Sequence, residues 1–122
     1  MQLPNVQENR RPMAHKNGKS IDEQIFERQA NICKAFANST RLHLLDMLGK
    51  GECAVAELQA ELGISKANLS QHLAILRSSG AVVTRRNGKQ VLCSLAMPEI
   101  KQACLLIRNV LRAQVRQTRK LV

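Results

Sequence analysis

Apolar and polar positions alternate along this chain with two periods, and the change of period marks out its elements. From Ile21 the apolar residues recur every three or four positions. Ile21, Ile25, Ile32 and Phe36 make one stripe, and Phe26, Ala30, Cys33 and Ala37 make a second, which is helical spacing over a wide face. Ser20 with Glu23 three residues on has the form of a capping box at its start. In "ANSTRLHLLDMLGKG", Asn38 or Ser39 starts a second helix, Leu42, Leu45 and Leu48 fill one side, and Gly49 ends it. "CAVAELQAELG" reads as a short third helix with Val55, Leu58 and Leu62 inward and a stop at Gly63. Ser65 then caps a fourth, "SKANLSQHLAILRSSG", with Leu69, Leu73 and Leu76 on its core side. Gly63-Ile64 is thus a tight turn between two short amphipathic helices, the spacing of a helix-turn-helix.

After Gly80 the period drops to two. "AVVTRRNGKQVLCSL" holds two β-type runs around Asn87-Gly88, a hairpin signal. Its tip carries Arg85, Arg86 and Lys89, so the hairpin is a basic wing placed directly after the helix pair. A last helix runs from Pro98 to about Arg119, with stripes Ile100, Cys104, Ile107, Leu111 and Ala103, Leu106, Val110, Ala113. Its basic C-terminal end, Arg108, Arg112, Arg116, Arg119 and Lys120, also suits the helix dipole. The first and last helices each present more apolar face than one small core covers, which points to their pairing across a symmetric dimer. Residues 1–19 break this pattern. They are polar, hold two of the three prolines and cluster Arg10, Arg11, Lys16 and Lys19, the composition of a disordered arm. The folded domain is expected over residues 20–120.

Composition adds the partner. At 122 residues there is room for one core. Lys and Arg total 19 against 9 Asp and Glu, a net charge of +10, which favours nucleic acid or an anionic membrane surface. No apolar run approaches the ~18 residues of a membrane span, and the N-terminus has no apolar signal region, so a cytoplasmic location with reduced thiols is expected. With two Phe, no Trp and no Tyr, the chain lacks the aromatic platforms on which single strands stack. Basic charge without aromatics points to duplex DNA.

On the fourth helix, Ala67, Gln71, Ala74 and Ser78 lie opposite the leucines, flanked by Lys66, Asn68 and Ser70. Small alanines let the backbone approach a groove. Gln71 and Asn68 can bond adenine bidentately, Ser70 several bases, and Lys66 guanine or phosphate. Residues near the start of a recognition helix reach deepest, so Lys66, Asn68, Ser70 and Gln71 are the base-reading candidates and Arg77 a phosphate contact. His72, beside the apolar stripe, is either packed or a phosphate contact. An ordinary solvated face would look similar on the helix alone; the turn, wing and net charge argue against it.

"KAFANSTRLHLLDML" followed by "AVAELQAELGISKANLSQHLAILRSSGAVVTRRNGKQVLCSL" resembles the ArsR/SmtB family of winged-helix repressors. The matching residues are Ala37-Asn38-Ser39-Thr40-Arg41-Leu42, Ser70-Gln71-His72-Leu73, Leu76-Arg77, Gly80 and Arg86-Asn87-Gly88, over roughly Ile25 to Leu111. The resemblance implies a mainly α fold with a β-hairpin wing, a dimeric winged helix-turn-helix in the order α-α-α-α-β-β-α. It implies a homodimeric repressor that binds an imperfect inverted repeat in duplex DNA and is released by an inducer or oxidant. DNA contact then falls on Lys66, Asn68, Ser70, Gln71 and His72, and on Arg85, Arg86 and Lys89 of the wing.

The family's two usual metal sites have no counterpart here. Where arsenic and soft-metal members carry Cys-Val-Cys, this chain has Ala54-Val55-Ala56, with Cys53 one position early. Zinc-type members use histidines on the last helix, and this one has none; His15, His43 and His72 lie elsewhere. No resident metal or cofactor is expected. Some members sense reactive sulfur or oxidants with a thiol pair joining an early helix to the last, and Cys33 and Cys104 are the candidates. The early thiol of those sensors sits about where Asp46 is in this chain. Three readings stay open: a thiol switch, two packed cysteines acting as small hydrophobes, and arsenite or another soft metal held by Cys33, Cys104 and a further thiol. Cys93, at the end of the second wing strand, reads as packing. There is no Cys-x-x-Cys pair, no Gly-rich phosphate loop and no HExxH, so nothing supports an enzyme. A winged-helix protein-interaction module should lack the basic wing and the groove-compatible helix.

Overall fold

A computed structural model describes residues 20–121; the expected arm, 1–19, lies outside the described residues. The elements are α1 (Ile21–Phe36), α2 (Ser39–Gly49), β1 (Cys53–Ala54), α3 (Val55–Leu62), α4 (Lys66–Ser78), β2 (Val82–Asn87), β3 (Gln90–Leu95) and α5 (Pro98–Leu121). Two compact units divide between Lys34 and Ala35, within the last turn of α1.

The first unit is helical from Ile21. Ser20 Oγ accepts the Glu23 N–H at 3.2 Å, the expected cap. Ile21, Ile25, Phe26 and Ile32 are all exposed.

The second unit is built on Leu44, Leu45, Leu58, Leu69, Leu76 and Cys93, its largest fully buried side chains. Ala35, Leu48, Leu73, Ala81 and Val82 complete the cluster. Asn38 is the cap of α2, its Oδ1 accepting the Arg41 N–H at 3.1 Å. The inner face of α2 differs from the expected one: Leu44 is fully buried and Leu42 is exposed. Two positions turn a helix by about 200°, so a face built on Leu44, Leu45 and Leu48 puts Leu42 on the other side, beside α5.

The helix-turn-helix forms as its caps dictate. Ala54 has no side-chain oxygen, so at the start of α3 only the reciprocal half of a capping box exists: Glu57 accepts the Ala54 N–H at 3.0 Å. Gly63 ends α3 at φ +63°, in the left-handed region, with its N–H on Gln59 O at 2.9 Å. Ser65 Oγ accepts the Asn68 N–H at 3.1 Å and opens α4.

The wing is part of a three-stranded antiparallel sheet in the order β1-β3-β2. β2 and β3 pair from Val82↔Leu95 to Asn87↔Gln90. The turn residues are therefore Gly88 and Lys89, one position later than the sequence places them, with Gly88 at φ +66°. β1, read from sequence as the start of α3, is a strand pairing Cys53↔Cys93 and Ala54↔Leu92. Two residues are too few for a period-two pattern to register.

α5 packs on α2, where Arg108 meets Asp46 at 3.2 Å. Ile100 and Cys104 of the predicted face pack on the core, while Leu106, Ile107, Val110 and Leu111 are 65%, 63%, 58% and 58% exposed among the described residues.

Candidate nucleic-acid interface

Leu69, Leu73 and Leu76 bury the inner side of α4 and turn the opposite side outward. Lys66, Asn68, Ser70, Gln71 and Arg77 are exposed there, with Ala67 and Ala74 between them. The exposed residues therefore form a thin-backed helix face bearing amide, hydroxyl and ammonium groups. α4 and the wing bound a cleft of about 430 Å³ whose lining includes Lys66, Ser70, Arg77, Thr84, Lys89 and Gln90. Three cations and two hydroxyls face it with no carboxylate among the lining residues, the electrostatic form of an anion-binding groove. Arg77 Nη1 donates to Thr84 Oγ1 at 3.5 Å, which ties the end of α4 to β2. Thr84 and Gln90 are not legible as site residues in the sequence, because only the folding of the wing beside α4 brings them to the cleft.

His72 is half-buried and engaged. Its Nδ1 lies 3.2 Å from Arg41 Nη1, and Arg41 Nε donates to Ala35 O at 2.6 Å. A guanidinium only donates, so in this contact Nδ1 is the acceptor. Arg41 thus links the end of α1, α2 and the recognition helix.

The wing cations divide into two kinds. Arg85 donates to both carboxylate oxygens of Glu52, at 2.9 and 2.8 Å. The Arg85 hydrogen bond and charge pull the Glu52 carboxyl below its usual range, and Glu52 in turn raises the Arg85 guanidinium. Arg86 and Lys89 are exposed nearer the tip. Arg85 Nε and Nη2 are thus committed to Glu52, while the side chain stays 59% exposed.

All four thiols are free. Cys33 is exposed on α1, in the first unit; Cys104 is half-buried on α5, in the second. Cys104 lines a groove of about 320 Å³ with Leu42, His43, Asp46, Ile107, Arg108 and Leu111. Burial pushes the Cys104 thiol up; the nearby Arg108 cation offsets part of this and Asp46 adds to it. Among the described residues, no three His, Cys, Asp or Glu side chains come together to hold a metal ion. No described helix is long and apolar enough to cross a membrane.

A family model of bacterial regulatory proteins, arsR family, matches residues 38–83, from the cap of α2 through α4 into β2. The biofilm growth-associated repressor of Xylella fastidiosa is 39% identical over 88 residues, 72% of this chain and 77% of that protein. The homodimeric winged helix-turn-helix DNA-binding domain solved from Mycobacterium bovis superposes with a TM-score of 0.76 at 26% identity, covering 84% of this chain and 95% of that one. The reduced form of HlyU from Vibrio cholerae does so with a TM-score of 0.66 at 38% identity, covering 72% and 93%.

Proposed function

The chain belongs to the ArsR family of DNA-binding transcriptional regulators, and from that premise we propose that it is a cytoplasmic, homodimeric repressor of an inverted-repeat operator, released by modification of cysteine thiols. The observation that carries the DNA-binding reading is the α4 face: base-capable side chains on a helix seated by three leucines, next to a cationic cleft closed by the wing. Lys66, Asn68, Ser70 and Gln71 read base edges in the major groove. Arg77 and His72 meet phosphates. Arg86 and Lys89 hold the backbone from the wing, and Arg85 joins them. A homodimer places two such helices about 34 Å apart, one turn of DNA, on the two half-sites.

The test is fluorescence anisotropy on an operator duplex selected from random sequence, beside an unrelated duplex. Gln71→Ala should cost about 1–3 kcal/mol on the operator and little on the unrelated DNA. Arg86→Ala should weaken both alike and reduce the salt slope by about one unit. Equal losses on both duplexes for Gln71→Ala would remove it from base reading.

Release is assigned to Cys33 and Cys104. If the two thiols meet, oxidation or sulfur insertion would bridge the first helix to the last and alter the spacing of the two recognition helices. Similarity to a repressor and to HlyU, the latter solved in a form described as reduced, supports a redox-sensitive regulator. The expected result is that Cys33→Ser or Cys104→Ser keeps operator binding but abolishes release by polysulfide or peroxide. Cys53→Ser and Cys93→Ser should leave release intact. Full release from the doubly substituted Cys33/Cys104 protein would return both residues to packing.

A further inference from the structure

We propose that Cys53 and Cys93 form a second, separate modification site: a dithiol at the root of the wing that closes to a cross-strand disulfide when a hydroperoxide oxidises it. The two cysteines are 40 positions apart in sequence, and β1 brings them directly opposite each other in the sheet, Cys53↔Cys93. Residues opposite one another in an antiparallel pair have Cα atoms about 4.5–5.5 Å apart and side chains on the same face. That spacing lies inside the roughly 4.4–6.8 Å window of a disulfide. Both side chains touch the same core: Cys93 is fully buried within it and Cys53 is packed against it, half-buried. The pairing that brings the two Cα atoms within disulfide reach is therefore held by the sheet while both thiols are reduced.

The surroundings set the order of events. Cys53 is the accessible partner, its Sγ 3.6 Å from Gly51 O. Burial pushes the Cys53 thiol up and Glu57 adds to this. Burial also raises Cys93; Arg77 partly offsets it, and Cys53 and Glu52 push it further. A small thiolate fraction at neutral pH makes the pair slow to react and faster under alkaline conditions. In the first step the Cys53 thiolate attacks one peroxide oxygen, the O–O bond breaks, and the other oxygen leaves as alcohol or water after taking a proton. Cys53 is then a sulfenic acid. In the second step the Cys93 sulfur attacks the Cys53 sulfur and expels its hydroxyl as water, which carries off the Cys93 proton. The dithiol has lost two electrons and two protons, and the hydroperoxide has been reduced by the same two electrons.

Closure ties the strand that opens the helix-turn-helix to the inner strand of the wing without parting them, since they are already hydrogen-bonded. The bond is a lock on the wing root rather than a release switch, and so it is independent of the role assigned to Cys33 and Cys104. It also spans a loop long enough that cross-linking should raise thermal stability markedly.

The experiment uses the full chain with Cys33→Ser and Cys104→Ser, so that only this pair can react. The protein is treated with hydrogen peroxide at mildly alkaline pH and mapped without reduction. The expected result is that both thiols disappear together and the chain loses the mass of two hydrogens. The Cys53 and Cys93 peptides travel joined, the melting temperature rises by several degrees, and dithiothreitol reverses all of it. Adding Cys53→Ser, at the half-buried position where folding is safe, should abolish the cross-link and the stability gain. Thiols lost independently as oxygen adducts, cross-links only between chains, or a joined pair with no gain in stability would each overturn the proposal. Because the operator is not part of this measurement, its failure leaves the repressor reading untouched.

Discussion

Ile107→Asp should turn the protein into a folded monomer that no longer holds its operator. Ile107 is 63% exposed on α5, between Leu106 and Val110 and one turn from Leu111, all more than half exposed. Among the described residues this apolar face of a 24-residue helix is left largely open, and a second copy of the chain is the partner proposed for it. In the monomer the introduced carboxylate stands in water and costs little. In the dimer it would be an uncompensated charge among leucines, a loss of several kcal/mol that association cannot absorb. The DNA consequence follows from valency. Two linked reading helices gain about 10²- to 10⁴-fold over one, and operator affinity should fall by that order, while unspecific binding falls much less. Sedimentation velocity and circular dichroism check the first half, and anisotropy on the operator the second. A well-folded Ile107→Asp protein that still sediments as a dimer would put the interface elsewhere.

What is legible in the sequence is whatever local chemistry decides. Ser65 caps α4 and Gly63 ends α3 because a hydroxyl and a left-handed glycine are read within one turn. The three leucines of α4 are buried because a helix has only one way to put them on a face. The misreadings have equally local causes. Leu42 and Leu44 lie on opposite sides of one helix, both apolar, and only the packing of α2 decides which is buried. The turn sits at Gly88-Lys89 rather than Asn87-Gly88 because the register is set by pairing along the whole hairpin. The contacts that shape the interface most are out of reach altogether. Arg41 and His72 are 31 positions apart, and Glu52 and Arg85 are 33 apart. Arg41 stands out in the "NSTRL" resemblance, but nothing local shows that it reaches a recognition-helix histidine. For Glu52 there is no signal at all.

Leu69→Ala separates the seating of the recognition helix from the reading of bases. Leu69 is fully buried, and its neighbours in sequence, Asn68 and Ser70, are among the side chains assigned to base edges. Truncating it leaves a cavity under the first turns of α4, and such changes cost about 2–5 kcal/mol. Domains of this size are stable by only about 5–15 kcal/mol, so the melting temperature should drop by roughly 10 °C or more. Gln71→Ala, on the exposed side of the same helix, should change stability by less than about 0.5 kcal/mol while losing operator affinity. The two variants therefore predict opposite patterns. Leu69→Ala melts early but, well below its transition, still discriminates operator from unrelated DNA. Gln71→Ala melts like the parent and discriminates poorly. Thermal denaturation and anisotropy on both duplexes measure this directly. A Leu69→Ala protein with an unchanged melting temperature would mean that α4 is not seated on this core, and the assignment of its outward face to DNA would fall with it.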